Sequence, residues 1–193
     1  MIGIIVEGDG EQEALFEITK KINSKNQNQI LKPVYVNVDP KGSPEQIALF
    51  CKSRIERFEN HKVKKIIVLL DRENLDLCIP ERAKQLTISL SKITTSAEIC
   101  VVIKNKKFEN WLIADHKVFE SKRKRYKVTK SFINKIDKGK ADNVSDAEKL
   151  INEIVLDKEY HKRHDAIDIC KSSNLQTMEK NSRSFKKFLK EVS

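Results

Sequence analysis

The chain has 193 residues, with 38 Lys and Arg against 28 Asp and Glu for a net charge of +10. That length carries one good core, or one domain with an appended helical piece. No run approaches the roughly 18 apolar residues of a membrane span. No basic segment with a cleavable apolar region opens the chain, and periodic apolar segments recur despite 34% charged residues, so the expectation is a folded cytoplasmic protein with no membrane partner.

In chain order, residues 2–6 read as a first strand. From Glu11 to Asn23 a helix is predicted, with Leu15, Ile18 and Ile22 on one face. Residues 33–38 are a short β-branched run, a second strand. Pro40, Lys41, Gly42, Ser43 and Pro44 are turn chemistry, and Ser43 is placed to cap a helix from Pro44 to about Phe58. That helix is expected to bury Ile47, Phe50, Cys51, Ile55 and Phe58. Residues 65–70 form a third strand. Pro80 opens a helix whose apolar set is Ala83, Leu86, Ile88, Leu90 and Ile93, and residues 98–103 form a fourth strand. Strands alternating with helices imply right-handed crossovers and a mostly parallel sheet.

After Lys104 the pattern is helical: 108–114 with Phe108, Trp111 and Leu112 inward, then 129–136, 144–156, 162–172 and 179–192. The expected organisation is an α/β core over residues 1–115, a four-stranded mostly parallel sheet flanked by helices. A helical, basic C-terminal extension, 116–193, is expected to pack on it as part of one compact unit.

Two acidic clusters each follow an apolar run. Ile4, Ile5 and Val6 lead to Glu7, Gly8, Asp9, Gly10 and Glu11; residues 66–70 lead to Asp71, Arg72 and Glu73. The runs are too short for a membrane and too uniform for half-solvated strands, so they read as strands buried on both faces. In open α/β sheets ligands bind at the strands' C-terminal ends. Two such strands side by side would bring Glu7, Glu11, Asp71 and Glu73 together. Crowded carboxylates repel, and a divalent cation relieves the repulsion. Oxygen donors suit Mg²⁺ or Mn²⁺ better than zinc, and with a phosphodiester bound the chemistry is hydrolysis or transfer. Glu11 also has a plain alternative as a carboxylate at a helix N-terminus.

Between residues 104 and 140 there are thirteen basic and four acidic side chains. Lys104, Lys106, Lys107, Lys122, Arg123, Lys124 and Arg125 are the candidates for contact with a DNA or RNA backbone; a generally lysine-rich sequence is the competing explanation. Nothing in the chain reads bases. The four cysteines form no CxxC pair, and His161 and His164 have no matching pair elsewhere, so no zinc site is expected.

The pattern Val6, Glu7, Gly8, x, x, Glu11, followed by Leu70, Asp71, Arg72, Glu73, resembles the Toprim fold of topoisomerases, primases and OLD-family nucleases. There a glutamate follows the first strand and an Asp-x-Asp the third. Residues 108–115, FENWLIAD, are similar to the FExWLLAD signature of the DUF4276 family of small bacterial proteins, as is the tail from Tyr160 to Phe185. The resemblance implies a metal-dependent nuclease encoded beside an ATPase in anti-phage defence. It carries to Glu7, Glu11, Asp71 and Glu73, and to Glu109 and Asp115. Lys140 and Lys162 are candidates to neutralise phosphate. Glu73 departs from the usual second Asp, and its longer arm changes where a metal would sit. Two other readings stand beside the nuclease: a catalytically silent module that binds nucleic acid or docks on a partner ATPase, and a receiver-like domain phosphorylated on Asp71.

Overall fold

The structure is a computed structural model that describes residues 1–25, 29–73, 78–93 and 95–193. Four strands form one all-parallel sheet: β1 (Ile2–Val6), β2 (Val34–Tyr35), β3 (Lys65–Asp71) and β4 (Glu98–Lys104), in the order β2-β1-β3-β4. The register aligns Val6 with Leu69, and Asp71 with Lys104. All five residues of β1 are buried, as are residues 66–70 of β3. Near-continuous burial is what a parallel sheet covered on both faces demands.

One face carries Ile5, Ile66, Val68, Leu70, Val101 and Ile103 and packs on α2 (Pro44–Asn60) and α3 (Ile79–Leu90). The other carries Ile4, Val6, Ile67, Leu69 and Val102 and packs on α1 (Asp9–Asn23) and on the C-terminal helices. These are α4 (Phe108–Ile113), α5 (His116–Ser121), α6 (Lys130–Ile136), α7 (Ala147–Asn152), α8 (His164–Ser172), α9 (Leu175–Asn181) and α10 (Arg183–Val192), with a 3₁₀ turn at Ala141–Asn143. Trp111 of α4 is their hub. It stacks edge-on against Phe185 at 5.0 Å and lies 5.3 Å from Phe188.

Ser43 caps α2 as expected and forms a reciprocal capping box with Gln46. Several expectations need correction. The second strand is only Val34–Tyr35, although Val36 and Val38 stay buried beyond it. Phe50 is 54% exposed and Ile88 is 51% exposed. The buried stripe of α2 is Ile47, Cys51, Ile55 and Phe58, and Phe50 falls beside it. Ile88 lies opposite the Leu86 and Leu90 face of α3. The helix expected over 144–156 contracts to α7, because the chain then returns to bridge Val155 with Tyr126. The helix expected over 179–192 is two helices. Ser182 adopts an extended backbone and its hydroxyl caps α10 by accepting from Phe185 N at 3.0 Å. The four cysteines are free thiols, with Cys51 and Cys170 buried. Among the described residues, no helix is long and apolar enough to cross a membrane.

Candidate functional site

With the order β2-β1-β3-β4, the chain crosses from β1 to opposite sides of the sheet, and the crevice between the C-terminal ends of β1 and β3 is the topological switch point. Glu7 leaves β1 there, and Glu11 stands in the first turn of α1. Asp71 ends β3 and Lys104 ends β4, in register with each other. Both continue the alternation of Leu69 and Val102, so they point toward α1.

These four side chains meet. Lys104 is fully buried, and its ammonium lies 2.6 Å from Glu11 Oε1, 2.9 Å from Asp71 Oδ1 and 3.6 Å from Glu7 Oε1. It also sits 5.7 Å over the Phe108 ring. The backbone N–H of Asp71 donates to Glu7 Oε1. Glu7 Oε2 and Asp71 Oδ1 are buried with no hydrogen-bond partner; the contact of Asp71 Oδ1 with Lys104 is an ion pair without hydrogen-bond geometry.

The electrostatics follow from burial and crowding. Burial pushes the Glu7 carboxyl up to about 9; Lys104 pulls it down, and Asp71 and Glu11 push it further up. Burial likewise raises Glu11 to about 7, opposed by Lys104 and reinforced by Asp71 and Glu109. Burial works against the charge of Lys104, but Asp71, Glu11 and Glu7 together hold its pKa above the ordinary lysine range. Lys104 belongs to the expected surface patch by sequence position. The structure moves it from that patch into the acidic site.

Glu109, on α4, is buried, and burial raises its carboxyl with a contribution from Asp71. Lys162, whose charge opposes that rise, pairs its ammonium with Glu148 at 2.9 Å. Gly10 lies against that segment: a Cβ there would make ordinary contact, 3.7 Å from Lys162 O and 3.6 Å from Arg163 Cα. Arg163 in turn pairs with Glu13 at 2.6 Å.

Glu73 goes elsewhere. It has a left-handed backbone at φ 50°, its N–H donates to Lys106 O, and its carboxylate pairs with Lys41 at 2.7 Å. Arg82 donates to the carbonyls of Pro40 and Gly42 and so fixes the loop that carries Lys41. Lys106 is also left-handed, at φ 76°. Two non-glycine residues in that region, paired across the ends of β3 and β4, cost roughly 1 to 3 kcal/mol each.

The remaining candidates divide. Lys140 is exposed in a groove with Lys135, Lys149, Asp146 and Glu153, and none of the described contacts joins it to the carboxylates. Asp115 caps α5 and accepts from Asn174 N at 2.7 Å, a structural use of both oxygens. Lys122 pairs with Asp168 at 2.6 Å. Arg125 is held by Asp165 and by the carbonyls of Lys158 and Glu159. Arg123, Lys124 and Lys107 are exposed. His161 Nδ1 accepts from His164 N, so that pair is engaged within its own turn.

The sequence reading assigns Lys104 to the basic patch and not to the acidic site. Lys104 follows a third apolar run, 100–103, and a charged residue ending a buried strand was its signal. Tyr160 is buried with an unpartnered hydroxyl; burial, and then the Glu109 carboxylate, drive its pKa upward. No periodicity in the sequence marks it.

The donor set is all oxygen, which suits Mg²⁺ or Mn²⁺, and one of its oxygens, Glu7 Oε2, is orphaned. Yet among the described residues no three His, Cys, Asp or Glu side chains converge on a metal position of their own. The acids gather round an ammonium instead. No curated protein and no solved structure matches the chain closely enough to count as a relative. A family model does match, over residues 6–193, and the chain belongs to the family described as "Domain of unknown function (DUF4276)".

Proposed function

We propose that the chain is a Toprim-type, divalent-metal-dependent nuclease that cleaves the backbone of DNA or RNA. In this reading it is the effector of an anti-phage defence system and works beside an ATPase partner. The observation that carries the reading is the cluster of acids at the β1/β3 crevice, where Glu7 Oε2 is buried without a partner and Asp71 Oδ1 has only its ion pair with Lys104. A buried carboxylate oxygen left in this state calls for a further partner.

Glu7 and Asp71 are the residues to hold Mg²⁺ or Mn²⁺, with Glu11 and Glu109 as further oxygens. The ion would supply neutralisation of a phosphate and an activated water. Lys162, beside Glu109, would draw the phosphate toward the carboxylates, and Lys104 would balance their charge. Glu73, paired with Lys41, stands at the rim.

One observation favours the catalytically silent module as the second reading. Lys104 already gives the carboxylates a counter-charge, and the described acids share no other common point. The test is cleavage of end-labelled single- and double-stranded DNA and RNA with Mg²⁺, Mn²⁺ or EDTA. The nuclease reading expects cleavage that EDTA and Glu7→Gln both abolish. Binding that survives Glu7→Gln, with no cleavage even alongside the ATPase partner, supports the silent module.

A further inference from the structure

We infer that the Lys104 ammonium is the resident cation of the acidic site, and that it sets the site's affinity for a divalent ion by competing for the same carboxylates. The inference rests on the metal-site reading above and adds a residue that controls it.

Geometry comes first. Lys104 ends β4 opposite Asp71, in a rigid parallel register, and its side chain is fully enclosed. Its ammonium touches Glu11 and Asp71 and comes within 3.6 Å of Glu7, while the Phe108 ring covers it. These are the oxygens that a divalent ion would need. An ammonium has three donors in a tetrahedral spread, so carboxylates arranged around one do not also converge tightly on a bare ion. That accounts for the absence, among the described residues, of three acids sharing a metal position.

Charge comes second. Three carboxyl groups share one ammonium, which reaches Glu11 and Asp71 at 2.6 and 2.9 Å and Glu7 only at 3.6 Å. Glu7 is the least well served. Its side chain is only 8% exposed, yet Oε2 has no partner. The site therefore attracts a further cation but opposes it through the one it already holds. At a separation of about 4 Å in a partly buried site, repulsion between an ammonium and a divalent ion is large enough to lower affinity by at least an order of magnitude.

The test uses Mn²⁺ alone, with the full chain and no nucleic acid, read by calorimetry and by electron paramagnetic resonance. Lys104→Met and Lys104→Gln should each bind Mn²⁺ at least about tenfold more tightly than the wild type. In EDTA both should melt at lower temperature than the wild type, and Mn²⁺ should raise their melting temperature by more than it raises that of the wild type. Adding Glu7→Gln to Lys104→Met should abolish the gain in binding. A merely structural lysine predicts the opposite, because a damaged site binds metal more weakly. Equal or weaker binding by the variants, with the wild type binding Mn²⁺, overturns the role of Lys104 and leaves the metal site standing. No binding by any of the proteins overturns both. Tight binding retained in the Lys104→Met, Glu7→Gln double variant puts the ion elsewhere and also overturns the inference. Lys104→Gln keeps an N–H donor for Glu11, so it guards against a folding failure of Lys104→Met; if both stay unfolded with Mn²⁺ present, the inference falls.

Discussion

Buried carboxylates occur in two regions of this molecule, and their partners differ. In the helical part, Asp142 accepts from Ser182 Oγ at 2.7 Å, Ser184 N at 2.8 Å and Ser184 Oγ at 3.1 Å, and Ser184 in turn accepts from Trp111 Nε1. Every oxygen of Asp142 is satisfied by a neutral donor, and the network ties the 3₁₀ turn to α4 and α10. At the sheet edge, Glu7, Glu11 and Asp71 face one another and a single ammonium, and two buried oxygens have no hydrogen bond. Burial alone therefore does not separate a structural acid from a poised one. The identity of the donors does: backbone and hydroxyl donors fix a fold, whereas like charges held around one cation store repulsion that a ligand can relieve.

The comparison can be broken first at Lys104. Lys104→Met leaves buried carboxylates without their counter-charge and should cost about 3 to 5 kcal/mol in metal-free protein, measured by urea unfolding. A loss below about 1 kcal/mol would show that the acids do not depend on it.

Asp142→Ala comes next. It leaves Ser184 N and two hydroxyls without their acceptor, and should destabilise by roughly 2 to 3 kcal/mol with no change in any metal-dependent property. If it cost no more than Glu7→Gln, the contrast between the two regions would collapse.

Glu7 sharpens the contrast through pH. Its folded pKa of about 9, and that of Glu11 at about 7, lie above the ordinary carboxylate value of 4.5. Above 4.5 the unfolded chain has lost protons that the folded chain retains, so each raised carboxyl makes stability fall as pH rises. The Glu11 contribution runs its course by about pH 7, and that of Glu7 by about pH 9. Glu7→Gln should flatten the decline in melting temperature between pH 5 and pH 9, and should raise the melting temperature at pH 8. An unchanged pH profile would mean that Glu7 is charged throughout.

The smallest effect belongs to the basic run. Arg125 and Lys122 hold Asp165 and Asp168, so Arg123 and Lys124 are the members exposed to a phosphate. Changing those two to Ala should alter stability by no more than about 0.5 kcal/mol. It should weaken nucleic-acid binding for all sequences alike and flatten the salt dependence by about 0.7 to 0.9 for each phosphate no longer neutralised. An unchanged salt slope would make the run a solvated loop.

Much of this was legible in the sequence because the sheet is parallel. Strands buried on both faces read as apolar runs, and the residue that ends each run marks the edge where ligands bind. That reasoning brings Glu7, Glu11 and Asp71 together. It also gathers Glu73 with them, because the partner that turns it away, Lys41, lies on a loop fixed by Arg82 from α3, a long-range contact that no local pattern carries. It places Lys104 on the surface because charge density along the chain carries no trace of the strand register that buries this lysine. The helical part was less legible. Its helices are six to ten residues long, and their ends depend on caps such as Asp146 and Ser182. Phe50 and Ile88 show the same limit, since one residue off a helical stripe is enough to leave a large apolar side chain in solvent.

The claim at the centre of this account is that the carboxylates at the β1/β3 crevice form a cation site. The most direct measurement is a crystal structure of the protein soaked with Mn²⁺, with the anomalous signal of the metal recorded. The account predicts a peak in the crevice, at about 2.0 to 2.3 Å from oxygens of both Glu7 and Asp71, with the Lys104 ammonium shifted away from its place beside Asp71. An anomalous map empty at the crevice, with Lys104 still seated among Glu7, Glu11 and Asp71, would contradict it.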